Sequence, residues 1–489
     1  MTISFTNSVA VQGRARSLAP LCIGAGTYLL LLFTGDNLLH DPDTFWQIKV
    51  GRWILDHHAV PQTDFYSLTR FGEAWISTSW LSQVLFAAVY SQWGWAGPVI
   101  LTALAVAATA AVLVALLERQ FEPVHTLLFA LLALALSAHH LLARPHVLAM
   151  PVMVVWSGAL MAAADRGRYP SLLLLPLMAL WANLHGGFVL GLALIGPIGL
   201  EALWRTAPER RFGLALRWVA FGFGALAASC CTPYGWNTLL GAARILDLGE
   251  LFNVIAEWRP ADFSSFSVFE GALLGLVGLA FFRGLVLSPP RILLVLVLTW
   301  MALTHVRSIE AFGFLLPLVL ARPLGSRTNG KDAASTHERE RAPASSWLSA
   351  LAAMTVVLAA SISTSIYAAH HVFRFSTNKM PVAAVDLLVE SKAERIFNSY
   401  GFGGYLIARD IKPFVDGRTE LYGEKFLLDF FAAEDARNVD GLLRMLDEYK
   451  IDATLLTADA PAAQVLDHIQ GWRRAYTDGV AIVHVRAER

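Results

Sequence analysis

Residues 39–80, LHDPDTFWQIKVGRWILDHHAVPQTDFYSLTRFGEAWISTSW, decide the reading of this chain. Directly after the first strongly apolar run, Asp41, Asp43, Asp56 and Asp64 stand among Phe45, Trp46, Trp53, Phe65, Tyr66, Trp75 and Trp80, where other charges are sparse. Carboxylates beside a membrane surface are the first place to look for chemistry. In the D-P-D segment, Pro42 disfavours a helix interior and suits a rigid loop, which turns Asp41 and Asp43 outward. Such a pair can hold a divalent cation, Mg or Mn, or supply one general base. The competing structural role is for Asp43 to cap a helix starting at Thr44.

Working outward, composition sets the class. The chain has 489 residues, 56% hydrophobic and 16% charged, with a mean hydropathy of +0.52. Those values describe a polytopic membrane protein. Net charge is zero, from 38 basic and 38 acidic residues, so no basic surplus exists for a nucleic-acid partner. Cys22 lies in an apolar run, and the adjacent Cys230 and Cys231 suit neither an ordinary disulfide nor a zinc site. All three read as small apolar packers. Arg14 and Arg16 precede an apolar run without a cleavage pattern, so the amino terminus reads as a first anchor.

Apolar runs long enough to cross occupy 18–34, 98–117, 124–142, 147–164, 171–184, 188–203, 214–231, 266–282, 292–304, 309–320 and 347–369, about eleven spans in all. Basic loops at 165–169, 204–217 and 283–291 and the polar linker 322–341 fall on one side only if residues 80–95 do not cross. That segment, and residues 44–57 with their broad apolar face, read as helices lying along the outer surface. The amino terminus is then cytoplasmic, and Arg144, Asn183, Tyr234 and His305 emerge outside. The expected fold is mainly α: a transmembrane helical bundle over 1–369, with an outer loop at 36–97 and a cytoplasmic linker at 323–346. A soluble extracytoplasmic α/β domain follows over 370–489. In it, helices at 381–390, 424–433, 439–449 and 461–469 alternate with strands at 395–398, 413–416, 453–457, 472–477 and 480–486, the last two joined by an Asp478–Gly479 hairpin turn.

Several outer polar groups are candidates. Arg144, in A-R-P-H, can grip a phosphate bidentately with His146 beside it. Asn183 and His185 in W-A-N-L-H-G-G line a polar cavity or form a packed hydrogen-bonded pair. Tyr234 in P-Y-G-W, and Glu257 and Trp258 in E-W-R-P, suit a sugar ring stacked on Trp and bonded to a carboxylate. His305 and Arg307 in T-H-V-R-S-I-E offer a second anion contact, with Glu310 as a candidate partner for Arg307. In the outer domain, N-S-Y-G-F-G-G-Y and V-D-G-R-T-E-L-Y-G are neither a Walker loop nor a dinucleotide fingerprint. Tight turns account for most of their glycines, and Asp416 with Arg418 reads as a structural salt bridge. No G-x-S-x-G, H-E-x-x-H or cysteine nucleophile supports a hydrolase.

Together H-D-P-D-T-F-W, G-R-W-I-L, P-Q-T-D, R-P-H, W-A-N-L-H-G-G, P-Y-G-W, E-W and F-x-D-G-R resemble bacterial polytopic proteins related to the GT-C glycosyltransferases. That class includes protein mannosyltransferases, aminoarabinose transferases and oligosaccharyltransferases. The resemblance implies a multi-pass protein of the bacterial inner membrane that uses a polyprenyl-phosphate-linked sugar and a lipid or glycan acceptor at an outer-face cavity. It implies that an acid of the first outer loop is catalytic, here Asp43, with Asp41 second. D-P-D departs from adjacent acids, and the absence of W-W-D-x-G argues against an oligosaccharyltransferase proper. A non-catalytic partner that binds a lipid-linked glycan or helps assemble an envelope polysaccharide is the alternative. A transporter is weaker, because the spans carry no charge at their centres.

Overall fold

A computed structural model describes residues 17–246, 249–328, 346–376 and 380–487. Arg14, Arg16 and most of the polar linker lie outside the described residues. The chain is mostly helical, with one small sheet near its carboxyl end. The bundle comprises α1 (Ala19–Phe33), α2 (Asp43–His57), α3 (Trp80–Trp93), α4 (Ala96–Leu117), α5 (Pro123–Ser137), α6 (Pro145–Asp165), α7 (Leu175–Leu184) and α8 (Phe188–Trp204). It continues with α9 (Pro208–Ser229), α10 (Asn237–Leu246), α11 (Leu251–Val254), α12 (Val268–Arg283), α13 (Pro289–Thr304), α14 (Ser308–Thr328) and α15 (Ser346–His370). Among the described residues, helices in α4, α5, α6, α9, α14 and α15 are long and apolar enough to cross a membrane. The shorter apolar helices Ala19–Phe33, Leu172–Leu184, Phe188–Trp204, Val268–Phe282 and Pro289–Thr304 fall on the remaining expected spans.

The helix ends collect at two poles. At one, Arg291 at the start of α13 reaches Asp165 at the end of α6 (2.7 Å) and Glu201 near the end of α8 (3.1 Å). The stretches 165–169 and 204–217 meet there too, with Trp218 donating to the Arg168 carbonyl. At the other pole, His371 after α15 meets Asp36 after α1 at 3.0 Å. The D-P-D loop lies at this second pole.

The α3 helix has 14 residues, roughly 21 Å at 1.5 Å per residue, too short for an apolar core of about 30 Å. The apolar face of α2 is not left for lipid, contrary to the surface-helix expectation. Trp46, Val50 and Ile54 are buried in one core with Trp75 of the first loop and with Phe397, Phe414 and Phe430 of the carboxyl-terminal part. Its other side meets α3 so closely that a Cβ at Gly51 would lie 1.9 Å from the Gln83 carbonyl oxygen. Burying Val50 and Ile54 contributes about 1.5–3 kcal/mol each, which makes protein rather than membrane the natural partner of this face.

The carboxyl-terminal domain contains α16 (Val382–Glu390), β1 (Ile396–Asn398), α17 (Gly403–Ala408), α18 (Thr419–Tyr422), α19 (Glu424–Glu434), α20 (Val439–Glu448), β2 (Ala453–Thr457), α21 (Pro461–Leu466), β3 (Trp472–Thr477) and β4 (Ala481–Arg486). The sheet order is β1-β2-β4-β3. The β1–β2 pair is parallel and the other two are antiparallel. The hairpin turn forms as expected, with Asp478 Oδ1 accepting from the Val480 and Ala481 amides. Residues 413–416 are not a strand: only Ile396 and Pro413 form a bridge. The Asn398 side chain takes over the pairing, accepting from the Phe414 amide (2.7 Å) and donating to the Val415 carbonyl (2.9 Å). On the opposite side, Leu68 and Thr69 of the first loop donate to the carbonyls of Pro413 and Phe414.

Candidate active site

Arg144 organises the site. The residue before a proline is pushed to extended backbone, and Arg144 is extended (φ −123°, ψ 157°) ahead of Pro145, the first residue of α6. Its guanidinium binds three carboxylates. Nε pairs with Asp41, Nη2 with Asp43 Oδ2 at 2.7 Å, and Nη1 with Glu257. Asp41 is buried, and its Oδ1 also accepts from the Asp43 amide at 2.8 Å. Both Asp41 oxygens are thus engaged by neighbouring groups of the loop and of Arg144. Pro42, not Asp43, is the residue preceding α2, and Asp43 caps nothing with its side chain.

Glu257 reaches the site because two loops are zipped together. The amides of Val306 and Arg307 donate to the carbonyls of Arg259 and Glu257, and Ala261 donates to Leu303. Arg307 Nη1 therefore lies 3.4 Å from Glu257 Oε2, and its guanidinium sits 5.3 Å from the Trp258 ring centroid. His305 serves the same zipper, with Nδ1 at 2.9 Å from the Trp258 carbonyl. His185 Nδ1 accepts from the Gly187 amide at 3.0 Å, an approach that needs glycine, since a Cβ there would lie 2.9 Å from that nitrogen. Arg307 Nη2 lies 3.2 Å from His185 Nε2, so the guanidinium and the ring stand side by side on the wall, and Arg307 brings the positive charge suited to an oxyanion.

Two adjoining cavities share Arg144, His146, His185, Glu257, Trp258 and Arg307 as their common wall. One, about 480 Å3, runs between helices and is floored by Met150, Met153, Leu190 and Met301. The other, about 390 Å3, is polar and lined by Asp43, Gln47, Ser79, Tyr400, Thr419 and Glu420. His146 is held by the His140 carbonyl at 2.9 Å and faces Glu310 at 3.6 Å. Glu310 thus stands beside His146, and among the described residues no ion pair joins it to Arg307.

Burial is the main force on the Asp43 carboxyl, and it outweighs Arg144; with Asp41 and Glu257 nearby, the pKa rises to about 7. About a quarter of the side chain (23%) stays accessible to the polar cavity. For Glu257, burial pushes upward, but Arg144 and Arg307 prevail and hold it at about 2. Burial, then Arg307, keeps the His185 imidazole neutral, well below its ordinary range.

Asn183 and Tyr234 line neither cavity. Asn183 accepts from Trp80 Nε1 at 2.8 Å and donates to the carbonyls of Ala179 and Cys231. Tyr234 donates to the Pro61 carbonyl at 2.8 Å and accepts from the Ser77 amide at 3.2 Å. Both are struts. The divalent-cation expectation also fits poorly: among the described residues no group of three or more His, Cys, Asp or Glu is arranged for a metal. The guanidinium of Arg144 lies where the Asp41 and Asp43 oxygens converge.

Residue reasoning missed the contribution of the carboxyl-terminal domain. The glycines at 403, 404 and 417 are close-approach residues, not turn residues. None has positive φ, and a Cβ would lie 2.2 Å from the Val415 carbonyl oxygen at 403, 2.6 Å from the Pro42 carbonyl oxygen at 404 and 2.2 Å from Asp43 Oδ1 at 417. Arg418, fully buried, clamps this loop. Its Nε and Nη2 donate to Asp416 at 2.8 and 2.6 Å, and Nη1 reaches Asp64 at 2.5 Å. The D-G-R signature thus presents a bare backbone to Asp43 while tying itself to the first loop.

Known structures share the overall fold of this chain. An archaeal oligosaccharyltransferase, AglB from Archaeoglobus fulgidus, in complex with an inhibitory peptide and a dolichol-phosphate, superposes with a TM-score of 0.55 at 13% identity, over 90% of this chain and 69% of that one. An Archaeoglobus fulgidus oligosaccharyltransferase tethered to an acceptor peptide gives a TM-score of 0.52 at 11% identity, over 96% and 74%. The chain thus shares its fold with these two oligosaccharyltransferase structures. ArnT from Cupriavidus metallidurans bound to undecaprenyl phosphate is also similar, at a TM-score of 0.48 and 15% identity, over 96% of this chain and 98% of that one. No protein-family model matches the chain, and no curated protein matches it in sequence. The shared fold is therefore visible in three dimensions at identities where sequence comparison finds nothing.

Proposed function

We propose that this chain is a membrane glycosyltransferase that moves a sugar from a polyprenyl-phosphate-linked donor to a lipid or glycan acceptor. The reading rests on one observation: Arg144 and Arg307 stand on the wall between an apolar cavity and a polar one, and Asp43 lines the polar side. The apolar side, floored by methionines and leucine, suits the first isoprenoid units of the donor. Its phosphate lies against Arg144 and Arg307, with His185 beside them, groups held in place before reaction and able to stabilise charge on the departing phosphate. The acceptor occupies the polar side. Asp43, with a pKa near neutrality, takes the proton of its hydroxyl as that oxygen bonds to the anomeric carbon and the carbon–oxygen bond to phosphate breaks. Glu257 stays ionised and keeps both arginines aimed at the wall, and Asp41 fixes Arg144.

In this reading the Asp43 pole is the outer face of the bacterial inner membrane. The amino terminus is then cytoplasmic, with about eleven crossings in residues 1–369 and an extracytoplasmic domain in 370–489. AglB, the neighbour crystallised with a dolichol-phosphate, supports a lipid-phosphate ligand of this class. The test is transfer of labelled sugar by Asp43→Asn in reconstituted vesicles. Loss of transfer with an unchanged melting temperature is the expected result. Full activity would move the chain to the alternative of a non-catalytic lipid-linked-glycan partner.

A further inference from the structure

The pole opposite Asp43 carries a feature that sugar transfer does not use. The ends of α4 and α6 and the starts of α7 and α9 surround an open cleft of about 1410 Å3. Arg119, Arg166, Arg168, Arg210 and Arg217 line it, against the single carboxylate of Glu209. Neighbouring cations at this pole are neutralised: Arg291 by Asp165 and Glu201, Arg205 by Glu201 at 3.6 Å, and Arg322 by Asp165 at 3.7 Å. The five lining arginines form no ion pair among the described residues, and Arg217 lies over the Tyr169 ring, 4.8 Å from its centroid.

Below the charges the cleft is apolar. Val112, Leu116, Val155 and Leu214 line it, and Gly158 keeps it open, because a Cβ there would lie 2.5 Å from Leu116 Cδ1. Beside it stand Leu173, 85% exposed, and Phe212, 82% exposed, side chains that face hydrocarbon in a bundle crossing a membrane. A cationic rim over an apolar trough complements an amphiphile with an anionic head. A free polar anion would leave the trough empty, and a zwitterionic lipid would leave the excess charge unmet.

We propose that this cleft binds an anionic phospholipid of the adjoining leaflet, with its phosphodiester among Arg166, Arg168 and Arg210 and an acyl chain along Leu116 and Leu214. The site lies at the pole away from Asp43, so its test is independent of sugar transfer. Native mass spectrometry of the full chain in detergent compares phosphatidylglycerol with phosphatidylcholine of identical chains. Phosphatidylglycerol is retained at the lower concentration. The variant Arg166→Gln/Arg168→Gln/Arg210→Gln loses that preference by about a hundredfold, taking roughly fivefold per cation near a membrane surface. Arg210→Glu alone, at an exposed position in the first turn of α9, loses a smaller share and covers the case in which the triple variant does not fold. Equal retention of the two lipids overturns the proposal, as does an unchanged preference in the folded variants. Displacement of phosphatidylglycerol by millimolar inorganic phosphate also overturns it, by marking a site for the free anion.

Discussion

Replacing Gly417 with alanine tests the link between the carboxyl-terminal domain and the D-P-D loop. The new methyl would stand 2.2 Å from Asp43 Oδ1 and 2.7 Å from its carboxyl carbon, roughly 1 Å short of ordinary contact. The 417 backbone cannot retreat cheaply. Arg418 grips Asp416 through two bonds and Asp64 through a third, and Tyr422 donates to Asp416 at 2.7 Å. The α2 backbone cannot retreat either, because Gly404 already packs on the Pro42 carbonyl. The soft coordinate is the Asp43 carboxyl, which turns away from Arg144 and gives up a charge-assisted hydrogen bond worth about 1.5–3 kcal/mol. A reacting group misplaced by about 1 Å costs on the order of a hundredfold in rate, whereas overpacking costs about 1–3 kcal/mol of stability. In reconstituted vesicles with a labelled polyprenyl-phosphate sugar, Gly417→Ala should lower kcat about a hundredfold with little change in donor KM. Its melting temperature should stay close to that of the parent. A folded Gly417→Ala protein with the parent kcat would refute the claim that this contact sets the catalytic carboxylate.

Four other outcomes follow from the same geometry. Asp43→Asn keeps the shape of the side chain but removes the base, so kcat should fall by about 10²–10⁴ without loss of folded protein, as read by transfer and by thermal melting. Because Asp43 is raised to about 7, it is protonated and inactive as a base below that pH. The rate should climb as pH rises through about 7 and then level off, whereas a flat profile between about pH 5 and 8 would contradict the assignment. Arg144→Met leaves Asp41, Asp43 and Glu257 without their shared counter-ion, a change costing about 3–5 kcal/mol, visible as a large drop in melting temperature together with loss of transfer. Tyr234→Phe removes two buried hydrogen bonds remote from both cavities, so it should lower stability by about 1 kcal/mol or more and leave kcat unchanged. A selective loss of kcat would show that Tyr234 reaches substrate.

Much of the fold was legible before any coordinates, because apolar runs and their basic flanks are local properties of the chain. The expected spans coincide with helices, and the non-crossing segment is the short α3. Candidate residues were legible as polar groups interrupting apolar runs, since burying Arg144 or His185 without partners is costly. Their roles were not. The same signal marks Asn183 and Tyr234, which hold loops together, and Arg144, Glu257 and Arg307, which meet at the cavity wall.

What the sequence by itself determined is the helical class with spans able to cross a membrane and the alternation of helices and strands near the carboxyl end, each written in composition or in the spacing of neighbouring residues. Only the tertiary structure decided that Asp41 and Asp43 share the Arg144 guanidinium, that α2 buries its apolar face in protein, and that Gly417 lies against the Asp43 carboxylate. The reason is sequence separation. Asp43, Arg144, Glu257, Arg307 and Gly417 come from five distant segments, and long-range packing and ion pairing, which leave no local periodicity, bring them to one point.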